Sequence, residues 1–590
     1  MCRRVATKCP GVFYFSLYDE VRRDTLVKAK DANTFIQRFE KKYLGSFNIP
    51  FATLFQNASI LDTICKVDIP KTVFGYYSDT TSILDVNNDN VEEEQKENLN
   101  TSMNINDLSK IPRIVNPFLN SYVSLYMTLD PIPSFSKNDE LDYVPGFEDS
   151  LFLINGTSWL KNIKDSSLLK NRTIRLFCEN FDGQSVFIPR YLRKDGQKPD
   201  TLIFTENPNP DYNYDNDEDN AIERAARYVR LIPFIEDNQT WDYAEEMPDC
   251  WCTDNEFLEL GFGDYEEHAV LLCNYFNYID RVKRTGCISY LVLGDAHPEG
   301  STTYVIRLNE DHKQVELWNA KTGDCFFFDK TIEENKFLCL TVSKQYKFTK
   351  ANSETICQLK SIGAIATFDN IYVNIQKESD PGLIEFDLDN PNNWKPFLTE
   401  AGKNKYFPHG IQTVQKDIEY QQPNEQAGLQ LKEKIKEYLK QEIEKVRSEI
   451  IYNERPLVTN WELTSPPKIE KTLEKYEMFC FNIKNSGINW KKNNKDIKQE
   501  RKIEQDNQLK ELLNFGEEIK GNFLRKEIYG FPINLSFTTL REIWEQLKLT
   551  NVHLIGGDNS ELCLSVYVNP LPSNVNSVWI FFAILQNLDI

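Results

Sequence analysis

Between residues 253 and 328 the hydrophobic pattern changes period once. A helical period over about 253 to 280 gives way to short strand-like runs at 289–293, 303–307, 314–318 and 324–328. One helix followed by antiparallel strands predicts an α+β core. Within it, Glu-Glu-His-Ala-Val-Leu-Leu-Cys-Asn-Tyr-Phe, from Glu266 to Phe276, reads as an amphipathic helix, and Thr-Thr-Tyr-Val-Ile-Arg-Leu, from Thr302, reads as a strand.

The rest of the 590 residues must fold around that core, and at this length three or four separately cored domains are expected. A net charge of -21 argues against a nucleic-acid binder and against direct adsorption to anionic lipid, so any membrane association is expected to be indirect. The longest apolar run, 578–585, falls far short of the ~20 residues that a spanning helix needs. Met1-Cys-Arg-Arg does not read as a signal peptide, so the chain is expected to be cytosolic. Among 13 cysteines the sole close pair is Cys250-Trp-Cys252; with Cys178, Cys273 and Cys287 scattered, reduced buried thiols are expected rather than a metal site, and no cofactor is expected. His268 and His297 read as ordinary polar or capping residues.

Along the chain, strands are expected at 12–18, 44–51, 65–69 and 122–129, the first ending at Asp19-Glu20-Val21. Residues 85–110, rich in Asn and Glu and without periodicity, read as a disordered insert, and 207–220 as a second acidic loop. A hairpin is expected around Asn180-Phe-Asp-Gly183, and a helix over 221–231. Leu431, Ile435, Leu439, Ile443, Val446 and Ile450 recur at three and four residues, which predicts a long amphipathic helix over 424–451 that packs on its own chain. The charged stretch 491–508 reads as a solvated helix or insert, 540–547 as helix, and 561–568 and 577–585 as strands.

The segment Gly263-Asp-Tyr-Glu-Glu-His-Ala-Val-Leu-Leu272 resembles the nucleophile helix of the papain-like transglutaminase family, in which a cysteine opens the helix. Here the slot is Tyr265, and the segments matching the family's histidine and aspartate strands put Thr302 and Asn319 in those slots. A phenol near pKa 10 cannot replace a thiolate at neutral pH, and an amide without an imidazole has nothing to orient, so the resemblance implies a fold that keeps the shape and lacks the triad. The competing enzyme reading, a cysteine-dependent peptidase or transglutaminase, needs a relocated nucleophile, and Cys273 two turns down the helix is the candidate.

The first strands resemble the second half of a C2 β-sandwich. Calcium binding there needs converging carboxylates; Val21 stands where the family has the second aspartate of a pair, and the first calcium loop has no counterpart ahead of Met1, so no calcium site is expected at Asp19. Either the chain is a fragment, or another chain completes the sandwich. Taken with Tyr43-Leu-Gly-Ser-Phe-Asn-Ile-Pro-Phe51, Lys66-Val-Asp-Ile-Pro70, Arg227-Tyr-Val-Arg-Leu-Ile-Pro-Phe234 and Val578-Trp-Ile580, the chain from about Phe13 to its C-terminus resembles the coiled-coil and C2 domain-containing family of ciliary proteins.

The resemblance implies an α+β multidomain chain. Its expected parts are a partial C2-like sandwich over 1–138, an inactive transglutaminase-like domain over 139–400, a connecting segment with an amphipathic helix over 401–455 and a C-terminal α+β domain over 456–590. It further implies a scaffold on the cytosolic face of the ciliary base, in the transition zone, whose partners are the other proteins of the tectonic-associated assembly. Two uses of the inactive cleft stand open at this point: a site for a peptide or modified tail, anchored by the aromatic residue, or a cleft filled by its own side chains with partners docking elsewhere.

Overall fold

The computed structural model describes residues 12–28, 33–56, 60–75, 113–114, 121–129, 146–204, 220–236, 250–309, 314–329, 357–452, 455–481, 494–523, 526–557 and 560–587. The expected insert at 85–110 and nearly all of the acidic loop at 207–220 lie outside them.

The N-terminal unit contains β1 (Val12–Lys28), β2 (Asn33–Pro50), α1 (Phe51–Gln56), β3 (Ile60–Val67), β4 (Thr72–Val73), β5 (Arg113–Ile114) and β6 (Ser121–Thr128). β1 and β2 are antiparallel from Val12↔Pro50 to Lys28↔Asn33, so β1 does not end at Asp19-Glu20-Val21 as the sequence suggests. Val21, Thr25 and Val27 carry the β-branched preference onward, and Asp19 sits in the ladder opposite Lys42. β3 pairs with β6 and buries alternate residues, Leu61, Thr63, Cys65 and Val67, against Phe47, Ile49 and Leu54.

The middle unit contains α2 (Ser150–Lys164), β7 (Phe177–Glu179), β8 (Ser185–Phe187), α3 (Thr201–Phe204), α4 (Ala221–Leu231), α5 (Asp254–Leu260) and α6 (Tyr265–Lys283). A seven-stranded antiparallel sheet follows: β9 (Ile288–Ala296), β10 (Gly300–Leu308), β11 (Gln314–Asn319), β12 (Asp324–Asp329), β13 (Leu359–Ala366), β14 (Ile371–Asn374) and β15 (Trp394–Pro396), in the order β12-β11-β10-β9-β13-β14-β15. The unit closes with α7 (Glu400–Tyr406). α6 packs on β9 and β10, so Leu291, Leu293, Val305 and Trp318 share its core, while Val292, Tyr304, Ile306 and Leu317 form a second core on the opposite face. The helix expected over 253–280 is two helices, because Gly261 takes a left-handed φ of 73° and caps α5 before Asp264 starts α6.

The C-terminal unit contains α8 (Glu425–Ser448), β16 (Ile451–Tyr452), β17 (Arg455–Pro456), β18 (Asn460–Trp461), α9 (Pro466–Phe481), α10 (Asn494–Gly521), β19 (Lys526–Ser536), α11 (Leu540–Leu549), β20 (Ser560–Pro570) and β21 (Asn576–Asn587). Its sheet runs β18-β20-β21-β19. α8 and α11 cover one face and α9 and α10 the other, with Ile435, Leu439 and Ile443 of α8 fully buried on the sheet side. No helix among the described residues is long and apolar enough to cross a membrane.

Candidate functional site

The N-terminus of α6 is built by the motif that the sequence singles out. Asp264 caps the helix, accepting from Glu266 N at 3.2 Å, and its own backbone N donates to Glu267 Oε2 at 3.0 Å, which completes a capping box. The other Glu267 oxygen accepts from Cys252 N at 3.2 Å and so fixes the approach of the preceding segment. Gly263 is required by packing, since a Cβ there would lie 2.7 Å from the Phe257 ring. His268 is fully buried, with Nδ1 2.6 Å from Asp264 O and Nε2 3.1 Å from Ile232 O. Burial lowers it to about 4 against the pull of both carbonyls, so the ring is neutral at neutral pH and donates to one of them.

Tyr265 is 8% exposed and packs edge-on to Phe234, ring centroids 4.7 Å apart. Its hydroxyl faces the Lys321 ammonium at 3.3 Å, and that ammonium lies 3.7 Å from the centre of the Phe234 ring. Burial raises the Tyr265 phenol well above its ordinary value, with the acidic neighbours Glu299, Glu236, Asp264 and Glu266 adding to the effect. Burial also pulls Lys321 down, opposed by Glu299, Glu236, Asp68 and Asp264. The phenol therefore stays protonated, and at the position where the sequence resemblance expects a nucleophile stands a neutral hydroxyl beside the Lys321 side chain.

Asn319 is what aims Lys321. Its Oδ1 accepts from Lys321 N at 3.1 Å and Thr322 N at 3.3 Å, making the tight turn from β11 to β12 that Gly323 completes at φ 71°. Its Nδ2 donates to Glu299 Oε1 and to the Tyr304 hydroxyl, both at 2.8 Å. Thr302 makes no hydrogen bond to this group, its buried hydroxyl having no partner among the described residues. Thr303, Val305 and Arg307 face α6, Thr303 through a 3.3 Å bond to Glu266 and Arg307 through its bonds to Asp280, so alternation places Thr302 on the opposite pleat with Tyr304. The residues that the resemblance puts in the triad slots thus divide: Tyr265 and the Asn319 turn meet through Lys321, while Thr303 rather than Thr302 lies on the pleat facing the helix.

Sequence reasoning missed Lys321 and everything that closes over it. Lys66 of β3 pairs with Asp324 Oδ2 at 2.7 Å, and the Thr53 hydroxyl donates to Pro298 O at 2.6 Å, so the N-terminal unit sits on this end of the middle unit. Burial alone would push the Asp324 carboxyl up, but Lys66 holds it below the usual carboxylate range. Asp68, next to Lys66, is raised, by burial first. Cys273 is fully buried and its thiol pushed far up by burial, with Asp254 adding to the effect.

Asp254, at the start of α5, is 1% exposed. Its Oδ2 accepts from Asn274 Nδ2 at 2.8 Å, and Oδ1 has no hydrogen-bond partner among the described residues. Burial raises this carboxyl to about 7 from 3.8, Asn274 and Arg193 opposing. A folded pKa above the unfolded one contributes stability that is complete below the unfolded value and is lost as pH rises through the folded one. Asp254→Asn removes that loss. The variant is expected to gain about 2–3 kcal/mol on the wild type between about pH 5 and about pH 8.5, read by urea denaturation at both; a pH-independent difference would mean that the folded carboxyl is ionised throughout that range, as the unfolded one is.

Three comparisons with known proteins bear on this arrangement. Residues 249–397, which span α5, α6 and all seven strands of the sheet, match the family model described as the CEP76 peptidase-like domain. The human protein named CC2D2B is 25% identical over 586 residues, covering 98% of this chain and 33% of that protein. The Drosophila melanogaster coiled-coil and C2 domain-containing protein 2A is 22% identical over 364 residues, 62% of this chain and 22% of that protein. The chain spans a third or less of the length of these curated relatives.

Proposed function

We propose that this chain, a relative of the coiled-coil and C2 domain-containing proteins over nearly its whole length, is a non-catalytic scaffold of the ciliary transition zone. The observation that carries the non-catalytic half is the contact of Tyr265 with Lys321 at the helix end where a peptidase-like fold would present its nucleophile. A site occupied by its own amine and closed by Lys66–Asp324 and Thr53–Pro298 acts as a joint between parts of the scaffold. A peptide or modified tail would have to displace both, so partners dock on other surfaces. The N-terminal unit serves as a C2-like module without calcium chemistry, and the location and partners, the transition-zone assembly at the ciliary base, rest on the family resemblance.

The enzyme alternative rests on Cys273, whose buried and protonated thiol faces the interior of α6 packing. Purified protein is expected to show no amide hydrolysis and no glutamine–lysine crosslinking above a blank. Turnover abolished by Cys273→Ala would overturn the non-catalytic reading. Imaging of the tagged chain tests the location separately: a diffuse signal in ciliated cells would remove the transition-zone assignment and leave the chemistry untouched.

A further inference from the structure

Lys71 and Cys480 meet outside the site described so far. Lys71 lies in the strap between β3 and β4, Cys480 near the end of α9, and Lys71 Nζ is 3.7 Å from the buried Cys480 Sγ across 409 positions of sequence. Neighbours on both sides fix the pair. The Thr72 hydroxyl is 2.6 Å from that of Tyr476, one turn earlier on α9, and Phe74 N donates to Gly530 O at 2.9 Å while the Phe74 ring shares an apolar cluster with Cys480. Among the described residues no carboxylate forms an ion pair with Lys71, and the other charged groups acting on it, Arg230 and Arg227, carry its own sign. Burial first, then these two guanidinium groups, pull the ammonium down against the opposing pull of Cys480, and the net lowering raises the share of nucleophilic amine.

We propose that Lys71 and Cys480 form a peroxide-responsive covalent lock between the N-terminal and C-terminal units, closed by a sulfur–nitrogen bond. In the first step the Cys480 sulfur attacks hydrogen peroxide. An S–O bond forms, the O–O bond breaks and water leaves; the thiol becomes a sulfenic acid, oxidised by two electrons, and the peroxide is reduced by two. In the second step the Lys71 amine attacks that sulfur, the S–O bond breaks, and hydroxide departs as water with a proton from the amine, leaving a sulfenamide. A dithiol reductant reverses the bridge, restoring amine and thiol as it becomes a disulfide. The 3.7 Å separation is close to the roughly 3–3.5 Å of a near-attack geometry.

The full chain treated with hydrogen peroxide, then digested and mass-mapped, is expected to yield a peptide pair joined at Lys71 and Cys480, lighter by two hydrogens than the two peptides together. Dithiothreitol should separate it. Lys71→Arg should abolish the link and let Cys480 proceed to sulfinic acid, and Cys480→Ser should abolish both products. The mapping of the wild type decides by itself if either variant fails to fold. Cys480 recovered unmodified, only as sulfinic or sulfonic acid, or linked to another residue, would overturn the proposal, as would a link that persists in Lys71→Arg.

Discussion

Arg307→Ala is expected to lower the unfolding free energy by about 3–5 kcal/mol, among the largest effects available to a single substitution in the middle unit. Arg307 is 4% exposed and forks onto Asp280 of α6, Nε to Oδ2 at 2.8 Å and Nη2 to Oδ1 at 2.7 Å, while Nη1 donates to Glu316 Oε2 of β11 at 2.9 Å. The two carboxylates are themselves tied, Asp280 to the Thr285 hydroxyl at 2.6 Å and Glu316 to Trp318 Nε1 at 3.2 Å. Alanine would leave two desolvated carboxylates without their cation. Lysine restores a charge but not the fork, so Arg307→Lys is expected to recover less than half of the loss. Replacing Arg307, Asp280 and Glu316 together by apolar residues of similar volume should cost less than Arg307→Ala alone, because it removes the buried charges with their partner. Urea denaturation of the three variants checks the order. A loss under about 1 kcal/mol for Arg307→Ala would mean that water reaches the network.

How much of this was legible depends on how local the cause is. The start of α6 could be read from Gly263, Asp264 and Glu267, because capping and close approach act within a few residues. The four strands from β9 to β12 and the buried face of α8 followed from period alone. The phase of β10 was harder: whether Thr302 or Thr303 faces α6 is a shift of one residue, which inverts the pleat and which the run Thr-Thr-Tyr-Val does not determine. α2 carries Asn155-Gly-Thr in its middle, a poor helical sequence, and Gly156 is there because a Cβ would lie 2.4 Å from the Phe177 ring. β19 contains Gly530 and Pro532, which read as breakers. Gly530 is demanded by the close approach of β21, and Pro532 is tolerated because β19 lies at the edge of its sheet. Lys321 had no local signal at all; its role arises from where the turn after β11 meets α6 and the strand bearing Lys66.

Glu477→Ala is the second substitution expected to have a large effect, and it tests whether the middle and C-terminal units unfold as one. Glu477, on α9 and 1% exposed, accepts at Oε2 from Arg227 Nη2 of α4 and from Trp579 Nε1 of β21, both at 2.6 Å, and at Oε1 from Asn569 Nδ2 at 3.3 Å. Arg227 also donates to Asn534 Oδ1 at 2.9 Å, and its guanidinium lies 5.4 Å from the Phe481 ring centre. One carboxylate thus joins a helix of the middle unit to a helix and a strand of the C-terminal one. Removing it strands a buried guanidinium and a buried indole N–H, at a cost of about 3–5 kcal/mol. The double variant Arg227→Met, Glu477→Met should lose less than the sum of its single changes, since neither partner is left charged in the interior. Because the pair spans the joint, the loss is expected to separate one cooperative denaturation curve into two, with the C-terminal unit unfolding apart from the middle one. A variant that keeps a single transition at unchanged midpoint would show that the apolar contacts of α4 with α9, and the Tyr228 hydroxyl bond to Pro572 O at 3.0 Å, hold the units together without the ion pair.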